Sequence, residues 1–513
     1  MAAWPPQILL RACDQVNAGT QDALSSSCSG AKMSRLAGKT MVLRRSWMPK
    51  PGVPRQMMRT RRAYAVAVDR DERAIIPEAQ ERDLPTPQTP AEFDSLNFEC
   101  APSVTFWRTW VRRSPVDDLQ DFVEGGGSLA SLDFNKVRSL SPFSAQEWGL
   151  NEEGAFTYWA YHLLRSGFFV AQGTAGILAS NRTSSEETNS KLLANITTNS
   201  GLRLYVEALQ MFRQDFANIK SGYYALPYDM QLSHRQWNPL FVMQRAFRFL
   251  REAPRTLKRR SDGVAEDVWL KSPLYPEYYL NTWHYQTDGW LSSESSGVYE
   301  TSTETLFLGQ QDAMQRTTLV PLAKHFEGED LRGKRIMELA CGTGRFATFL
   351  KDNYPSSHVT CLDLSPFYLQ EARENMEHWG ELQGGDQAEL GVDFVQAPAE
   401  KIPFPDKSYD AITCIYLFHE VTQEVRKEIV TEMHRILKPG GIVVFTDSIQ
   451  LGDRPELDAN IDGFTAFNEP NYTDYVRTDL GALFKEAGFT CYIKEVASRS
   501  KVLSFVKNED FLQ

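Results

Sequence analysis

One short segment of the chain restricts its possible folds more than any other: a glycine-containing loop between a predicted strand and a predicted helix. The apolar run 335–339 predicts a strand, and the loop Ala340-Cys341-Gly342-Thr343-Gly344 follows it directly. Glycine lets a backbone approach a ligand closely, and the first amides of the next helix offer hydrogen bonds to that ligand. A second apolar run, 358–364, carries Asp363 near its end, about 20 residues beyond the loop, where an acidic side chain typically holds a ribose diol. The segment therefore predicts a ribose-containing ligand.

The remainder of the C-terminal third continues the alternation of strand and helix. Further strands are predicted at 392–396, 409–416, 442–447, 490–496 and 502–506, and helices at 366–379, 424–437 and 479–487. Such alternation indicates an α/β fold with a mostly parallel, doubly wound sheet and a ligand at the carboxyl ends of its strands. The predicted fold class is therefore a Rossmann-like α/β sheet, completed by a C-terminal hairpin.

The sequence of the loop 340–345 distinguishes this chain from two classes of nucleotide-binding protein. A dinucleotide-binding loop needs glycine at the last position of G-x-G-x-x-G, where close helix packing and pyrophosphate approach leave no room for a side chain. Read from Ala340, this chain has Gly342 and then Arg345 at that last position. The sequence also lacks the G-x-x-x-x-G-K-[ST] pattern of a phosphate-binding loop. Nicotinamide cofactors and nucleoside triphosphates are therefore disfavoured.

Several motifs, in order and spacing, resemble those of class I methyltransferases, particularly methyltransferase type 11, the ubiquinone/menaquinone-biosynthesis type. They are Glu338-Leu339-Ala340-Cys341-Gly342-Thr343-Gly344, Asp363-Leu364-Ser365, Ala399-Glu400-Lys401-Ile402-Pro403-Phe404-Pro405, Ser408-Tyr409-Asp410 and Leu437-Lys438-Pro439-Gly440-Gly441. The resemblance covers roughly residues 311–506 and is closest to methyltransferase-like proteins of plastids and cyanobacteria. It implies a seven-stranded sheet whose last strand is antiparallel, and S-adenosyl-L-methionine as the cofactor.

The resemblance also implies a set of donor-binding residues. Glu338 would meet the amino acid portion of the donor, Asp363 would hold both ribose hydroxyls, and Leu364 would flank the adenine. Ala340 replaces the first glycine of the family's loop, and Pro398 replaces an acidic residue that would accept from the adenine amine, a role left to Gln396 or a backbone carbonyl. The complete predicted cofactor site comprises Glu338, Ala340, Gly342, Gly344, Asp363, Leu364, Gln396, Ala399 and Tyr416.

Two residues just beyond the predicted fourth strand are candidates for catalysis. If the methyl acceptor is a hydroxyl or an acidic carbon, a proton must leave, and His419 with Glu420 forms the best-placed acid–base pair. A histidine there is equally consistent with packing or with orienting a ligand. The segment is not the zinc motif H-E-x-x-H, because Gln423 stands in place of the second histidine, and no metal is predicted.

The acceptor is sought in two aromatic segments. The long loop 447–475 contains Phe464, Phe467, Tyr472 and Tyr475, and long loops on a rigid sheet often form a substrate wall. The segment 275–290 either joins two parts of the fold or covers the methyl donor. An aromatic wall favours a small hydrophobic or ring-containing acceptor such as a quinone, chromanol or pigment.

Charge and composition restrict partners and location. The chain carries a net charge of -11, although residues 1–68 contain eleven Lys or Arg and only two acidic residues. An acidic body argues against nucleic acid as a partner. A basic, serine-containing leader is typical of an organelle transit peptide, and we expect a chloroplast location, with the mitochondrion as the alternative. The segment 158–180 is apolar but is interrupted by Arg165, so a pair of buried helices is predicted there and no transmembrane span. Peripheral membrane contact and oligomeric state remain open.

The sequence thus divides into five predicted parts. They are a transit peptide (1–68), a flexible linker (69–92), a helical N-terminal domain (93–270), an aromatic connector or lid (271–325) and a class I methyltransferase domain (326–513). Two alternative functions stay open beside small-molecule methylation. The chain could be a donor-binding scaffold or assembly protein without catalysis, or a protein methyltransferase whose helical domain recognises the partner.

Overall fold

The structure is a computed structural model and describes residues 86–113, 148–180, 199–262, 268–280, 288–384, 390–461 and 469–508, with a few residues between 117 and 125. The predicted transit peptide and most of the predicted linker lie outside the described residues, as do Trp283, Phe464 and Phe467. The described residues from Pro87 onward form one compact unit. The predicted boundaries at residues 270 and 325 therefore lie inside a single packed body.

The centre of the fold is one eight-stranded sheet. Its strands are β1 (Glu99–Cys100), β2 (Arg335–Leu339), β3 (His358–Asp363), β4 (Val392–Gln396), β5 (Tyr409–Ile415), β6 (Leu437–Ser448), β7 (Phe489–Ala497) and β8 (Ser500–Lys507). Their order across the sheet is β1-β7-β8-β6-β5-β2-β3-β4. Strands β2 to β6 are parallel to one another, whereas β8 is antiparallel to both neighbours. The predicted doubly wound α/β sheet and its seven strands are confirmed.

Fourteen labelled helices surround the sheet. They are α1 (Pro90–Asn97), α2 (Pro102–Thr109), α3 (Ala155–Ser180), α4 (Asn199–Lys220), α5 (Pro239–Asp262), α6 (Ser293–Leu306), α7 (Gln311–Arg316), α8 (Leu319–His325), α9 (Arg345–Asn353), α10 (Pro366–Gln383), α11 (Gln423–Ile436), α12 (Pro455–Asp458), α13 (Tyr472–Tyr475) and α14 (Leu480–Glu486). The boundaries follow local chemistry, as at α10, where the Ser365 hydroxyl accepts from the Tyr368 amide and Pro366 takes the first position.

The central strands β2 and β5 are covered on both faces, and the candidate site lies at their carboxyl ends. Every residue of β5 is buried, as expected of a parallel strand between two helical layers, and β2 is buried after Arg335. The two strands pair in register, with Leu339 opposite Cys414. Their carboxyl ends therefore lie side by side, and the chain leaves both at the same edge of the sheet.

The N-terminal segment contributes to this sheet, which the sequence did not predict. Strand β1 pairs in parallel with β7, with Glu99 opposite Ile493, and covers what would otherwise be an open edge. Asp94 of α1 forms buried ion pairs with Lys494 and Lys501, and Asp453 lies in the same cluster. The described part of the N-terminal segment is thus held to the sheet by both backbone pairing and charge.

Two predictions for the N-terminal part of the chain are wrong. The predicted linker ends before residue 92, because α1 begins at Pro90: the Thr89 hydroxyl and the Glu92 carboxylate form a reciprocal capping box at its start. The apolar segment 158–180, interpreted as a pair of buried helices, belongs to the single 26-residue helix α3. Among the described residues, no helix is long and apolar enough to cross a membrane.

Candidate methyl-donor and acceptor site

The loop after β2 has the backbone geometry of a ligand-binding turn. Ala340, Gly342 and Gly344 all adopt positive φ, between 55° and 66°. The two glycines serve different purposes. A Cβ at Gly344 would lie 2.8 Å from the Cβ of Ala372, whereas one at Gly342 would meet no atom closer than Tyr368 Cδ1 at 3.9 Å. Gly344 therefore permits the packing of α9 against α10, and Gly342 leaves open space in front of the loop.

Asp363 is held firmly at the end of β3. Its Oδ2 accepts from the Gly342 amide at 2.8 Å, and its Oδ1 accepts from the Ser365 amide at 2.8 Å. Each carboxylate oxygen keeps a further lone pair for a ligand hydroxyl. Burial raises the pKa of Asp363 to about 6, although the backbone amides oppose that shift. The position suits a carboxylate that binds a ribose diol.

Stacked aromatic rings stand beside Asp363. The rings of Tyr279 and Trp290 are parallel within 18° with centroids 4.8 Å apart, and Tyr275 stacks on the other side of Tyr279 at 5.7 Å. This stack packs against the cluster that contains Leu364. Tyr279 and Trp290 also line the cavity next to Asp363. The aromatic connector therefore both packs the fold and covers the predicted adenosine site.

Glu338 provides a test of whether the site fits a cationic donor. Its side chain is 3% exposed, and Oε2 has no hydrogen-bond partner among the described residues. Burial, together with the nearby Asp363, raises the pKa of Glu338 well above its ordinary value. A buried carboxyl oxygen that lacks a hydrogen-bond partner destabilises the protein unless a ligand interacts with it. The ammonium or sulfonium of S-adenosylmethionine is such a ligand, so these residues fit the cofactor.

Two neighbouring cavities open at the carboxyl edge of the sheet. Glu338 and residues 340–343 line the first, which we call the loop cavity. The second, which we call the aromatic cavity, is lined by Asp363 and Leu364 at one side and by His419 and Tyr472 at the other. The two cavities share Tyr299, Thr303, Gln311, Ala340, Gly342, Ile415 and Tyr416. The aromatic cavity has about 1350 Å³ of empty space when its open mouth is included.

Most of the predicted site residues come together around these cavities. Those that line one or both are Glu338, Ala340, Gly342, Asp363, Leu364, Ala399, Tyr416, His419 and Glu420. Gly344 lies behind the loop against Ala372 and lines neither cavity. Gln396 lines neither of them, and its amide nitrogen donates to the Leu364 carbonyl at 3.1 Å.

His419 lies between two carboxylates. Its Nδ1 is hydrogen-bonded to Asp447 at the end of β6, and its Nε2 lies 3.2 Å from Glu420 Oε1. The Asp447 side chain is fully buried, and Asp447 Oδ2 accepts from the Phe418 amide at 2.8 Å. Burial alone would lower the pKa of His419, but Asp447 and Glu420 together raise it well above its ordinary value. The two carboxylates therefore favour the charged form of the His419 ring.

A buried arginine fixes the wall opposite the donor loop. Arg426 donates from Nε to the Phe418 carbonyl at 2.8 Å and from Nη2 to the Asn471 carbonyl at 3.1 Å. Asn471 in turn donates to the Glu420 carbonyl at 2.8 Å. These bonds tie the segment that carries Tyr472 to the segment that carries His419, so both rings face the aromatic cavity from a common support.

Some functional groups were not found from the sequence. Asp447 ends β6 as Asp363 ends β3, so the same reasoning about strand ends could have identified it. Arg499 also lines the aromatic cavity, but it lies in the turn between β7 and β8, where no motif marks it. In the part of the chain that the structure describes, no group of three or more His, Cys, Asp or Glu side chains could hold a metal ion.

The strand order, the left-handed loop after β2 and the acidic residue at the end of β3 are similar to those of a class I methyltransferase domain. S-adenosyl-L-methionine, the predicted cofactor, is the methyl donor of this class. Residues 336–441 match the family model described as a methyltransferase domain, which confirms the predicted resemblance.

Two relatives and one solved structure show what the domain is similar to. A fatty-acid O-methyltransferase of Mycolicibacterium smegmatis is 29% identical over 149 residues, covering 29% of this chain and 50% of the relative. A ubiquinone/menaquinone biosynthesis C-methyltransferase of Desulfotalea psychrophila is 28% identical over 153 residues, covering 30% and 54%. This chain thus spans about half the length of these relatives. A SAM-dependent methyltransferase structure from Aquifex aeolicus is 19% identical, with a TM-score of 0.27, over 37% of this chain and 92% of that one.

Proposed function

We propose that the chain transfers a methyl group from S-adenosylmethionine to a small hydrophobic or aromatic acceptor. One observation carries this proposal: two neighbouring cavities with shared lining residues extend from Glu338 and the glycine loop, past Asp363, to a wall formed by His419 and Tyr472. The donor end provides a buried carboxyl oxygen, Glu338 Oε2, without a hydrogen-bond partner among the described residues, and it provides the Asp363 carboxylate for a ribose. The far end provides aromatic surface and a charged pair, as an acceptor site requires.

The residues at the acceptor end have separable roles in this proposal. When bound, S-adenosylmethionine supplies an activated methyl group, and in-line displacement needs the acceptor atom held at attack distance. Asp447 and Glu420 favour the charged form of His419, so in this proposal the Glu420 carboxylate beside it takes the proton that an acceptor hydroxyl or acidic carbon releases. The imidazolium stabilises negative charge on the acceptor atom, and Asp447 keeps the ring oriented.

The lining of the aromatic cavity supports an apolar acceptor. Besides the charged groups, its wall is formed mainly by rings and aliphatic side chains: Tyr278, Tyr279, Trp290, Tyr299, Leu306, Phe307, Tyr416, Leu417, Val421, Ile429 and Tyr472. Pockets of this composition bind ligands that are largely hydrophobic and are oriented by a few polar groups. The two relatives are named for a fatty acid and for quinone biosynthesis, which agrees with this class. A quinone, chromanol or pigment fits the proposal.

We place this reaction in the chloroplast, with the mitochondrion as the alternative. The support is the composition of residues 1–68, which are rich in Arg and Lys and nearly free of acidic residues. Fusion of residues 1–68 to a fluorescent protein tests the proposal directly. Fluorescence within chloroplasts supports it, and fluorescence in mitochondria or throughout the cytosol contradicts it.

Two experiments test donor binding and acceptor class in turn. Calorimetry with S-adenosylhomocysteine should show binding by the wild-type protein and at least tenfold weaker binding by Asp363→Ala, because the ribose loses its carboxylate. Incubation with radiolabelled donor and chloroplast extract should then place the label in the lipid and small-molecule fraction. Absence of any heat with the wild type overturns the methyltransferase proposal. Label in protein identifies a protein methyltransferase, and donor binding without transfer identifies a scaffold.

A further inference from the structure

Arg499 occupies an unusual position at the acceptor end of the aromatic cavity. It lies in the tight turn between β7 and β8, directly after Ser498, whose φ is 56°. Its carbonyl accepts from the Ile449 amide at 3.0 Å, which fixes the turn against the end of β6. The Arg499 side chain is 12% exposed and lines the cavity that also contains His419 and Tyr472. A guanidinium is therefore built into the wall of the proposed acceptor site.

The protein leaves most of this guanidinium without a partner. Among the described residues its only hydrogen bond runs from Nε to Glu207 Oε1, at 3.4 Å. Glu207 is already held at shorter distances, by Arg454 at 2.6 Å and Arg112 at 2.7 Å. One buried carboxylate is thus shared by three arginines. The Nη groups of Arg499, with four N–H donors in a planar fork, have no acceptor in the described part of the chain.

The sheet topology separates Arg499 from the donor site. Arg499 precedes β8, and the strands β6, β5 and β2 lie between β8 and β3, which carries Asp363. Four strand spacings of about 4.8 Å place the two strand ends roughly 19 Å apart. Arg499 is therefore on the acceptor side of the cavity and does not serve the ribose or the glycine loop.

We propose that the methyl acceptor carries a carboxylate and that Arg499 binds it through its two Nη groups, an inference that rests on the proposed function. A buried guanidinium is costly unless an anion pairs with it, and its fork matches the two oxygens of a carboxylate. Burial lowers the pKa of Arg499 to about 10, so the group is still charged at neutral pH. A phosphate is less suited, because Glu420 and Glu469 line the same cavity and would repel a dianion. Arg499 is thus a specificity-determining residue that selects amphipathic acceptors with one acidic end.

A pair of probes that differ only in charge tests this inference. Naphthalene-2-carboxylate and 2-naphthylmethanol have the same ring system, and their binding to the full chain is measured by calorimetry with and without S-adenosylhomocysteine. The wild type should bind the carboxylate at least tenfold more tightly than the alcohol, since a hydrogen bond to a charged group contributes that much. Arg499→Leu should bind both probes equally, and Arg499→Lys should keep only part of the preference because it lacks the fork.

A control variant separates a local contact from general electrostatics. Arg477 is an exposed arginine of the same region, so Arg477→Leu removes one positive charge outside the cavity and should keep the full carboxylate preference. The inference is overturned if the wild type shows no preference, if Arg499→Leu keeps it, or if Arg477→Leu also loses it. Binding of S-adenosylhomocysteine, recorded for each protein, reports on the proposed function separately. Absence of the carboxylate preference in the wild type, with intact donor binding, overturns only this inference.

Discussion

Substitution of the two loop glycines by alanine should separate packing from ligand approach. At Gly344 the left-handed φ costs about 1–2 kcal/mol for an L-residue, and a Cβ only 2.8 Å from Ala372 Cβ would force a shift between α9 and α10. Such overpacking typically destabilises the folded state by about 1–3 kcal/mol. Alanine also lowers the conformational entropy of the unfolded chain, which offsets about 0.4–1 kcal/mol of that loss. Gly344→Ala should therefore lose about 2–4 kcal/mol of unfolding free energy.

Gly342→Ala is the matched comparison because it shares the backbone strain but not the clash. With no atom nearer than 3.9 Å, its net loss of stability should be about 1 kcal/mol or less. Its Cβ would stand in the cavity, so its affinity for S-adenosylhomocysteine should fall at least tenfold. Urea unfolding and calorimetry measure the two effects. Equal losses of stability in the two variants, or unchanged donor affinity in Gly342→Ala, would refute the assignment of roles.

Three further predictions concern charge. Donor affinity should rise between pH 5 and pH 7 with a midpoint near 6, because Asp363 binds a ribose best when ionised and its pKa is raised to about 6; calorimetry on Asp363→Asn should show a flat profile. The same raised pKa means that Asp363 weakens the folded state as pH rises from 3.8 to about 6. His419→Ala should lower turnover by about 10²–10³ with donor affinity unchanged, because the positive ring no longer stabilises charge on the acceptor; unchanged turnover with undiminished acceptor affinity would exclude this electrostatic role. Asp94→Asn should lose about 3–5 kcal/mol in urea unfolding, because Lys494 and Lys501 lose a buried partner, whereas exposed Glu99→Gln should change stability by less than about 0.5 kcal/mol.

The methyltransferase part of the fold could be predicted because its signals are local. Each predicted strand from 335–339 onward is present within a few residues of its predicted bounds, except that β6 begins at Leu437 and not at Ile442. Its register with β5 extends back to Leu437, opposite Tyr409, across a bulge near Ala411. Gly440 and Gly441, which follow α11, are part of the strand itself. Periodicity alone does not reveal pairing with a distant neighbour.

The acceptor side of the site was harder to predict for a physical reason. Donor binding depends on a loop and a strand end close together in sequence, so spacing alone reveals Gly342 and Asp363. His419 and Asp447 are separated by a whole helix and strand, and Arg499 and Glu207 by almost three hundred residues. Such pairs are created by the fold, so spacing along the chain does not show which of these residues meet. The same is true of the cluster that joins Asp94 to Lys494 and Lys501.

Strand β1 has a consequence for how the chain reaches its final state. Its two residues pair with β7, which is synthesised almost four hundred residues later, so the outer edge of the sheet closes only when nearly the whole polypeptide is available. Loops of that length close slowly, and contacts far apart in sequence delay folding. After β7 has been made and before β1 pairs with it, the backbone of β7 is an exposed template for strand addition. A newly made chain therefore passes through a period of vulnerability to aggregation, during which a chaperone that shields exposed strands would raise the yield of folded protein.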